Sequence, residues 1–179
     1  MTEWEKRLIA LLYASEVCFS EKLLEPSLIL LYSAIDIFGS LETENGIASR
    51  KSFEDWVIRY LDLVKLQCTA SDIYGARCGL IHTLRPDSGY STKGNARLLG
   101  YAWGTKRVED LREASIKMKS TRYAFVQIED LHAAVREGLR IFLDEVKTQP
   151  VRLQMVEKNV GRMLNNLDPK ILQAYIKKA

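Results

Sequence analysis

An arginine and a histidine stand five positions apart in the stretch YGARCGLIHTLRPDSG, residues 74–89. Histidine exchanges a proton near neutral pH, and the guanidinium of arginine holds phosphate oxygens. On a helix, Arg77 and His82 lie about 140° apart around the axis with a rise of roughly 7.5 Å, and both can reach one phosphate at the helix end. These groups suit metal-free attack of an RNA 2′-hydroxyl on its own phosphodiester.

Arg77 falls among apolar residues of the predicted helix, where a guanidinium requires an anionic partner. The preceding apolar helix carries one carboxylate, Asp36, and we predict that Asp36 pairs with Arg77. His82 shares its side with Gly75, Cys78 and Gly79, a strip of small residues that lets another backbone, subunit or ligand approach closely. Since the reaction needs both an acid and a base, a symmetric dimer that brings two copies of His82 together would supply both.

The segment from Arg77 to His82 resembles the R-x4–6-H motif of the HEPN superfamily, and YGARCGLIHT is similar to an uncharacterised bacterial group within it. The resemblance covers roughly the first half of the chain and the helix after Glu129. It implies a HEPN-like helical bundle and a metal-independent endoribonuclease of a toxin–antitoxin or phage-defence system. It also implies a dimer whose two motifs face a shared cleft, with Arg77 and His82 as catalytic residues and Asp36 as an orienting acid.

Two other interpretations stay open. In the first, the chain is a non-catalytic HEPN-like dimerisation or RNA-binding module in which Arg77 and Asp36 form a structural ion pair. Active members often carry a polar residue after the motif arginine, whereas this chain has Cys78. In the second, the chain is an RNA-binding accessory or antitoxin-like protein that cleaves nothing. His132 is interpreted as a satisfied boundary histidine rather than a catalytic one.

Helical spacing and capping signals predict a mainly α protein, an antiparallel bundle of about five core helices. A capping box at Thr2 and Glu5 opens the first helix, and a second box at Ser52 opens the third. The predicted helices span residues 3–23, 26–39, 52–66, 71–83 and from 129 to the break at Pro150, followed by two closing helices within 151–179, the last capped by Asp168 and Pro169.

Residues 86–128 are predicted to form an insertion, with strands at 96–103 and 122–128 in a small β-hairpin. Residues 84–125 carry nine basic and four acidic side chains. Basic groups interleaved with aromatic rings can follow a phosphate backbone and stack on bases. The candidate RNA-binding residues of this region are Lys93, Arg97, Tyr101, Trp103, Lys106 and Arg107.

The 179 residues are interpreted as one domain, long enough to bury a core without disulfides or metal. Three cysteines without a CxxC pair favour neither a disulfide framework nor a zinc site, so we expect a reducing cytoplasm, no metal and no cofactor. No signal peptide or membrane span is recognised, and the expected partners are a second copy of the chain, RNA and a cognate antitoxin.

Overall fold

The computed structural model describes residues 1–163, and this part of the chain is mainly helical with one small sheet. Its elements are α1 (Glu3–Ser20), α2 (Leu24–Leu41), α3 (Arg50–Tyr60), α4 (Leu63–Leu66), α5 (Ala70–Thr83), α6 (Gly89–Thr92), β1 (Leu98–Ala102), α7 (Val108–Lys117), β2 (Tyr123–Gln127), α8 (Ile128–Thr148) and α9 (Pro150–Val160). The prediction of a mainly α protein is confirmed.

The capping chemistry of the sequence explains where several helices begin. Thr2 caps α1 and forms the predicted reciprocal box with Glu5. The predicted box at Ser52 is wrong by one turn, because Ser49 is the cap of α3 and Ser52 is its third residue. The predicted helix 52–66 is also interrupted after Tyr60, where Leu61 is extended and Asp62 caps the separate short helix α4.

Helix α2 lies at the centre of the core, and Leu31, Ile35 and Phe38 are fully buried along it. It is long and apolar enough to cross a membrane by length and composition alone, a test that the core helix of a soluble protein also passes. Half of it is buried inside the fold. Its buried carboxylate, Asp36, faces α5 and anchors the site described below.

The two strands lie close to their predicted positions, but the predicted hairpin is wrong. Strands β1 and β2 are parallel, with Leu98 beside Tyr123 and Ala102 beside Gln127. A parallel pair requires a crossover connection, and the chain between the strands is long enough to supply one through α7. The region is also joined to the main core, since Leu99, Ala124 and Val126 are buried with the residues of α2 and α8.

The C-terminal helix of the described region is attached by a network of charges. Arg152 of α9 bonds the Glu42 carboxylate and the Tyr60 hydroxyl, and it contacts Glu145 at 3.0 Å. Asn159 donates to the carbonyl oxygens of Leu41 and Thr43. The predicted cap at Asp168 and Pro169 and the final helix lie outside the described residues.

A buried histidine links α1, α2 and α8 and makes stability depend on pH. His132 is 4% exposed, stacks on Phe19, and its Nε2 lies 2.9 Å from the Ser27 hydroxyl. Burial lowers the pKa of His132 and Arg136 also lowers it, while Glu16 and Glu129 raise it. The unfolded chain therefore binds a proton more readily than the fold does, and stability is lost as pH falls below about 6.5 toward the folded-state pKa.

We expect His132→Gln to flatten this pH dependence. Urea unfolding between pH 7.5 and 5 should show a smaller loss of unfolding free energy in the variant than in the wild type, because the group that must protonate is gone. His82→Gln is the matched control, since the chain contains two histidines and the other one is exposed. If the unfolding free energy of the wild type and that of His132→Gln depended equally on pH, the assignment of this dependence to His132 would be contradicted.

Candidate active site

The site forms at the C-terminal end of α5. Thr69 caps this helix and forms a reciprocal box with Asp72, which fixes its start. The helix ends at Leu84, whose φ of 54° and ψ of 30° place it in the left-handed region. Arg77 and His82 thus stand in the last two turns, close to the turn that closes the helix.

Arg77 pairs with Asp36 across the interface between α5 and α2, the partner predicted for it from the sequence. Its Nε donates to Asp36 Oδ2 at 2.7 Å and its Nη2 lies 2.6 Å from the same oxygen. Only 19% of the Arg77 side chain and 12% of the Asp36 side chain are exposed. Two of the three guanidinium nitrogens are therefore engaged by one largely buried carboxylate, which fixes the plane of the group.

The remaining guanidinium nitrogen points toward His82. Arg77 Nη1 and His82 Nε2 are 3.4 Å apart, so the arginine can donate to the imidazole when that nitrogen is unprotonated. The length of the arginine side chain overcomes the angular separation of the two residues around the helix. His82 itself is exposed, so its ring is open to a ligand.

The electrostatics of the pair are set by burial and by mutual contact. Burial raises the pKa of Asp36, and the hydrogen bonds and charge of Arg77, with the charge of His82, act against that increase. Burial acts to lower the pKa of Arg77, but the hydrogen bonds and charge of Asp36 outweigh it, so the Arg77 pKa is raised. The guanidinium is therefore held charged beside the imidazole.

An open cleft of about 680 Å³ lies beside the imidazole and is called the His82 cleft here. Helix α5 forms one wall through Tyr74, Cys78 and His82. The segment from Asp87 to Asn95 forms the opposite wall, and Arg50 at the start of α3 completes it. The volume lies within the range of about 300–1,000 Å³ that is typical of small-molecule sites.

The glycine face of α5 packs against the chain itself. A β-carbon at Gly79 would lie 2.8 Å from the carbonyl oxygen of Asp87 and also collide with that of Arg85. A β-carbon at Gly75 would lie 3.0 Å from the β-carbon of Ala96, a tight contact with a side chain rather than with backbone oxygens. The small residues thus let the wall of the His82 cleft approach α5, which is one of the roles that the sequence leaves open for them.

We expect Gly79→Ala to destabilise the protein by about 1–3 kcal/mol, because the added methyl group meets backbone oxygens that can only move with the whole turn. An ordinary glycine to alanine change within a helix would instead stabilise it by about 0.5–1 kcal/mol. Urea unfolding measures the difference. Gly89→Ala is the control, since a β-carbon there meets nothing within 4 Å. Unchanged or increased stability of Gly79→Ala would contradict the packing argument.

The candidate RNA-binding residues separate into two groups. Arg97 and Tyr101 are engaged by the fold: Arg97 Nη2 lies 2.6 Å from the buried Asp72, and the Tyr101 hydroxyl bonds that of Tyr32. The fold therefore engages the polar groups of both side chains, and their contact with RNA stays a prediction. Lys93 lines the His82 cleft.

The other three candidates follow β1. Trp103 and Lys106 are exposed, and the Lys106 amine sits 4.4 Å from the centre of the Trp103 ring. Arg107 is exposed beside Glu109 at 3.8 Å. Trp103 lines a different, mainly apolar cavity of about 310 Å³ with Leu84 and Pro86.

Comparison with known proteins found no relative of the chain. No family model, no curated protein and no solved structure matches the chain. Within residues 1–163, no group of three or more His, Cys, Asp or Glu side chains is arranged to hold a metal ion.

Sequence reasoning missed Arg50 and Tyr74, which line the His82 cleft together with Tyr90. Tyr74 stands four residues before Cys78 and eight before His82, a helical spacing that could have placed it on the same face. Tyr90 and Lys93 are similarly three apart. No local signal identifies Arg50, because it comes from a different helix.

Proposed function

We propose that the protein is a HEPN-like, metal-independent endoribonuclease that acts as a homodimer built on an antiparallel helical bundle. The observation that carries the proposal is the continuous chain of contacts from buried Asp36 through Arg77 to exposed His82 at the edge of an open cleft. In this assignment Arg77 holds the scissile phosphate, His82 transfers protons, and Asp36 orients Arg77.

The reaction is attack of an RNA 2′-oxygen on the adjacent phosphorus. The bond to the 5′-oxygen breaks, leaving a 2′,3′-cyclic phosphate and a 5′-hydroxyl, and no water or metal is consumed. The base removes the 2′-hydroxyl proton, the acid protonates the 5′-oxygen, and the guanidinium stabilises the charge that grows on the phosphorane oxygens. A phosphate can take the Nη1 donor of Arg77 away from His82 Nε2, which frees that nitrogen for proton transfer.

The dimer supplies the second proton-transfer group, a second copy of His82. Leu84, two residues beyond His82, is 63% exposed and lies in a mainly apolar cavity. A contact that brings two α5 ends together would cover this leucine, and burial of one leucine is worth about 1.5–3 kcal/mol.

We expect Leu84→Asn to weaken dimerisation while the monomer keeps its stability or gains up to about 1 kcal/mol, since asparagine tolerates the left-handed conformation better. Sedimentation velocity over a range of concentrations measures the first effect and thermal melting the second. A dissociation constant that Leu84→Asn leaves unchanged would exclude this face as the interface.

We extend the proposal to the place where the protein acts in the cell. A metal-independent RNase must be restrained, so we place the protein in the cytoplasm with a cognate antitoxin or in a phage-defence system. The described cysteines Cys18, Cys68 and Cys78 are all free, as in a reducing compartment. Co-purification from the native host would identify such an inhibitor.

A second candidate function is a non-catalytic dimerisation or RNA-binding module. The observation in its favour is the burial of the Asp36 and Arg77 pair, which is a structural interaction whether or not the site is catalytic. An RNA-binding accessory role predicts salt-dependent binding through exposed Lys106 and Arg107 without cleavage.

Incubation of the purified protein with single-stranded RNA in excess EDTA separates these functions. The proposed endoribonuclease cleaves the RNA, and the non-catalytic module leaves it intact. The control is the His82→Ala protein prepared in the same way, because a contaminating nuclease would be active in both preparations.

A further inference from the structure

The side chains that line the His82 cleft carry a net positive charge. Arg50, His82, Arg85 and Lys93 line it, and within residues 1–163 Asp87 is the one carboxylate among its lining residues. Arg85 is neutralised by two hydrogen bonds to Asp87, at 2.9 and 3.1 Å. Two permanent cations, Arg50 and Lys93, are thus left for an anionic ligand.

Neither cation is neutralised by a close partner. Among the described residues Lys93 forms no ion pair, and it is exposed on the wall formed by residues 87–95. The nearest carboxylate of Arg50 is Glu54 at 3.9 Å, a long contact with 56% of the arginine side chain exposed. Both side chains can therefore bind a phosphate without breaking a strong bond in the protein.

Arg50 is also held in position by Tyr90. Its guanidinium carbon lies 5.5 Å from the centre of the Tyr90 ring, and its Nη1 donates to the Tyr90 hydroxyl at 3.4 Å. Tyr90 in turn packs edge-on against Tyr74 and donates to Glu54. The tyrosine thus orients Arg50 from one side of the cleft, and such preorganisation reduces the entropy lost on binding.

We propose that the His82 cleft is a subsite for the ribonucleotide that flanks the scissile phosphate, with Arg50 and Lys93 binding the phosphate of that nucleotide. The inference rests on the proposed function, because the scissile phosphate is placed at Arg77 and His82. Arg77 does not line the cleft, whereas His82 does, so the histidine stands at the junction of the two phosphate positions. Tyr90 is a positioning residue that acts through Arg50.

Binding of an uncleavable ligand tests the subsite independently of catalysis. The probe is a fluorescent 2′-O-methyl RNA tetranucleotide, measured by anisotropy in EDTA at several salt concentrations. We expect Arg50→Ala and Lys93→Ala each to weaken binding by about tenfold and to lower the salt slope by about one unit. Tyr90→Phe, which removes only the hydroxyl, should weaken it about two- to threefold, as expected for loss of one weak bond to Arg50.

Lys158→Ala is the charge-matched control, because Lys158 is exposed on α9 outside the cleft lining. Unchanged affinity in both cleft variants, or an equal loss in Lys158→Ala, would overturn the subsite. Adenosine monophosphate that binds as tightly as the tetranucleotide would also overturn it, in favour of a free-nucleotide site. A different result would overturn the proposed function and leave the subsite intact. In that case natural RNA would stay uncleaved while the tetranucleotide still bound through Arg50 and Lys93.

Discussion

His82→Ala is expected to lose RNA cleavage by about 10²–10⁴-fold, the usual contribution of a general acid or base. The loss should fall on kcat, because the imidazole acts in the transition state rather than in holding the substrate. Initial rates on a single-stranded RNA oligonucleotide in EDTA measure it. Both protomers of a homodimer lose the group in this variant, so neither the acid nor the base remains.

Folding provides the control for this variant. His82 is exposed, and its side-chain polar contact within the described part of the chain is the 3.4 Å approach to Arg77, so its removal should leave the melting temperature within a few degrees of the wild type. His132→Gln is a second control for the cleavage assay, because it removes a histidine that is buried and does not line the His82 cleft. Cleavage lost equally in both variants would indicate a folding effect and count against a catalytic His82.

Arg77→Ala is expected to lower the free energy of unfolding by about 3–5 kcal/mol. The reason is the carboxylate left behind: Asp36 is 9% exposed overall, and within residues 1–163 its recorded hydrogen bonds come from Arg77. Urea unfolding at pH 7 measures the change. At lower pH the penalty should shrink, since a buried carboxyl without its cation is protonated more easily and a neutral acid costs less to bury.

The double variant Asp36→Ala with Arg77→Ala separates the two contributions. It should recover a large part of the stability that Arg77→Ala loses, because no charge is then left unpaired. Arg85→Ala is the matched control, since that arginine makes a bidentate pair with Asp87 but is 65% exposed, and exposed pairs contribute at most about 1 kcal/mol. If the double variant lost the sum of the unfolding free energies that Asp36→Ala and Arg77→Ala each lose, the interpretation as a buried ion pair would be contradicted.

The local chemistry of the chain made the starts of α1 and α5 predictable, whereas the start and the end of α3 were not. The reciprocal cap at Thr2 and Glu5 is a signal within a few residues, and α1 and α5 begin within one residue of their predicted starts. The contact between Asp36 and Arg77 followed from a different rule: two charges predicted on apolar helix faces need each other.

Tertiary features were not predictable in the same way. Whether the two strands pair parallel or antiparallel depends on where α7 packs, and strand propensity contains no such information. Arg97 and Tyr101 resemble an RNA-binding pattern in sequence, yet buried Asp72 and Tyr32 engage them from distant elements. The His82 cleft has the same origin, because Arg50 of α3 and Tyr90 of α6 come together through the packing of both helices against α5.

The chemistry of the cleaved ends tests the central claim most directly. Single-stranded RNA treated with the protein in excess EDTA should yield fragments with 2′,3′-cyclic phosphate and 5′-hydroxyl ends, identified by mass spectrometry, and a 2′-deoxy substitution at the cleaved position should block the reaction. His82→Ala should yield these fragments at least about 100-fold more slowly than the wild type. Uncleaved RNA, fragments with 5′-phosphate and 3′-hydroxyl ends, or cleavage by His82→Ala at the wild-type rate would contradict the assignment of Arg77 and His82 as an RNase site.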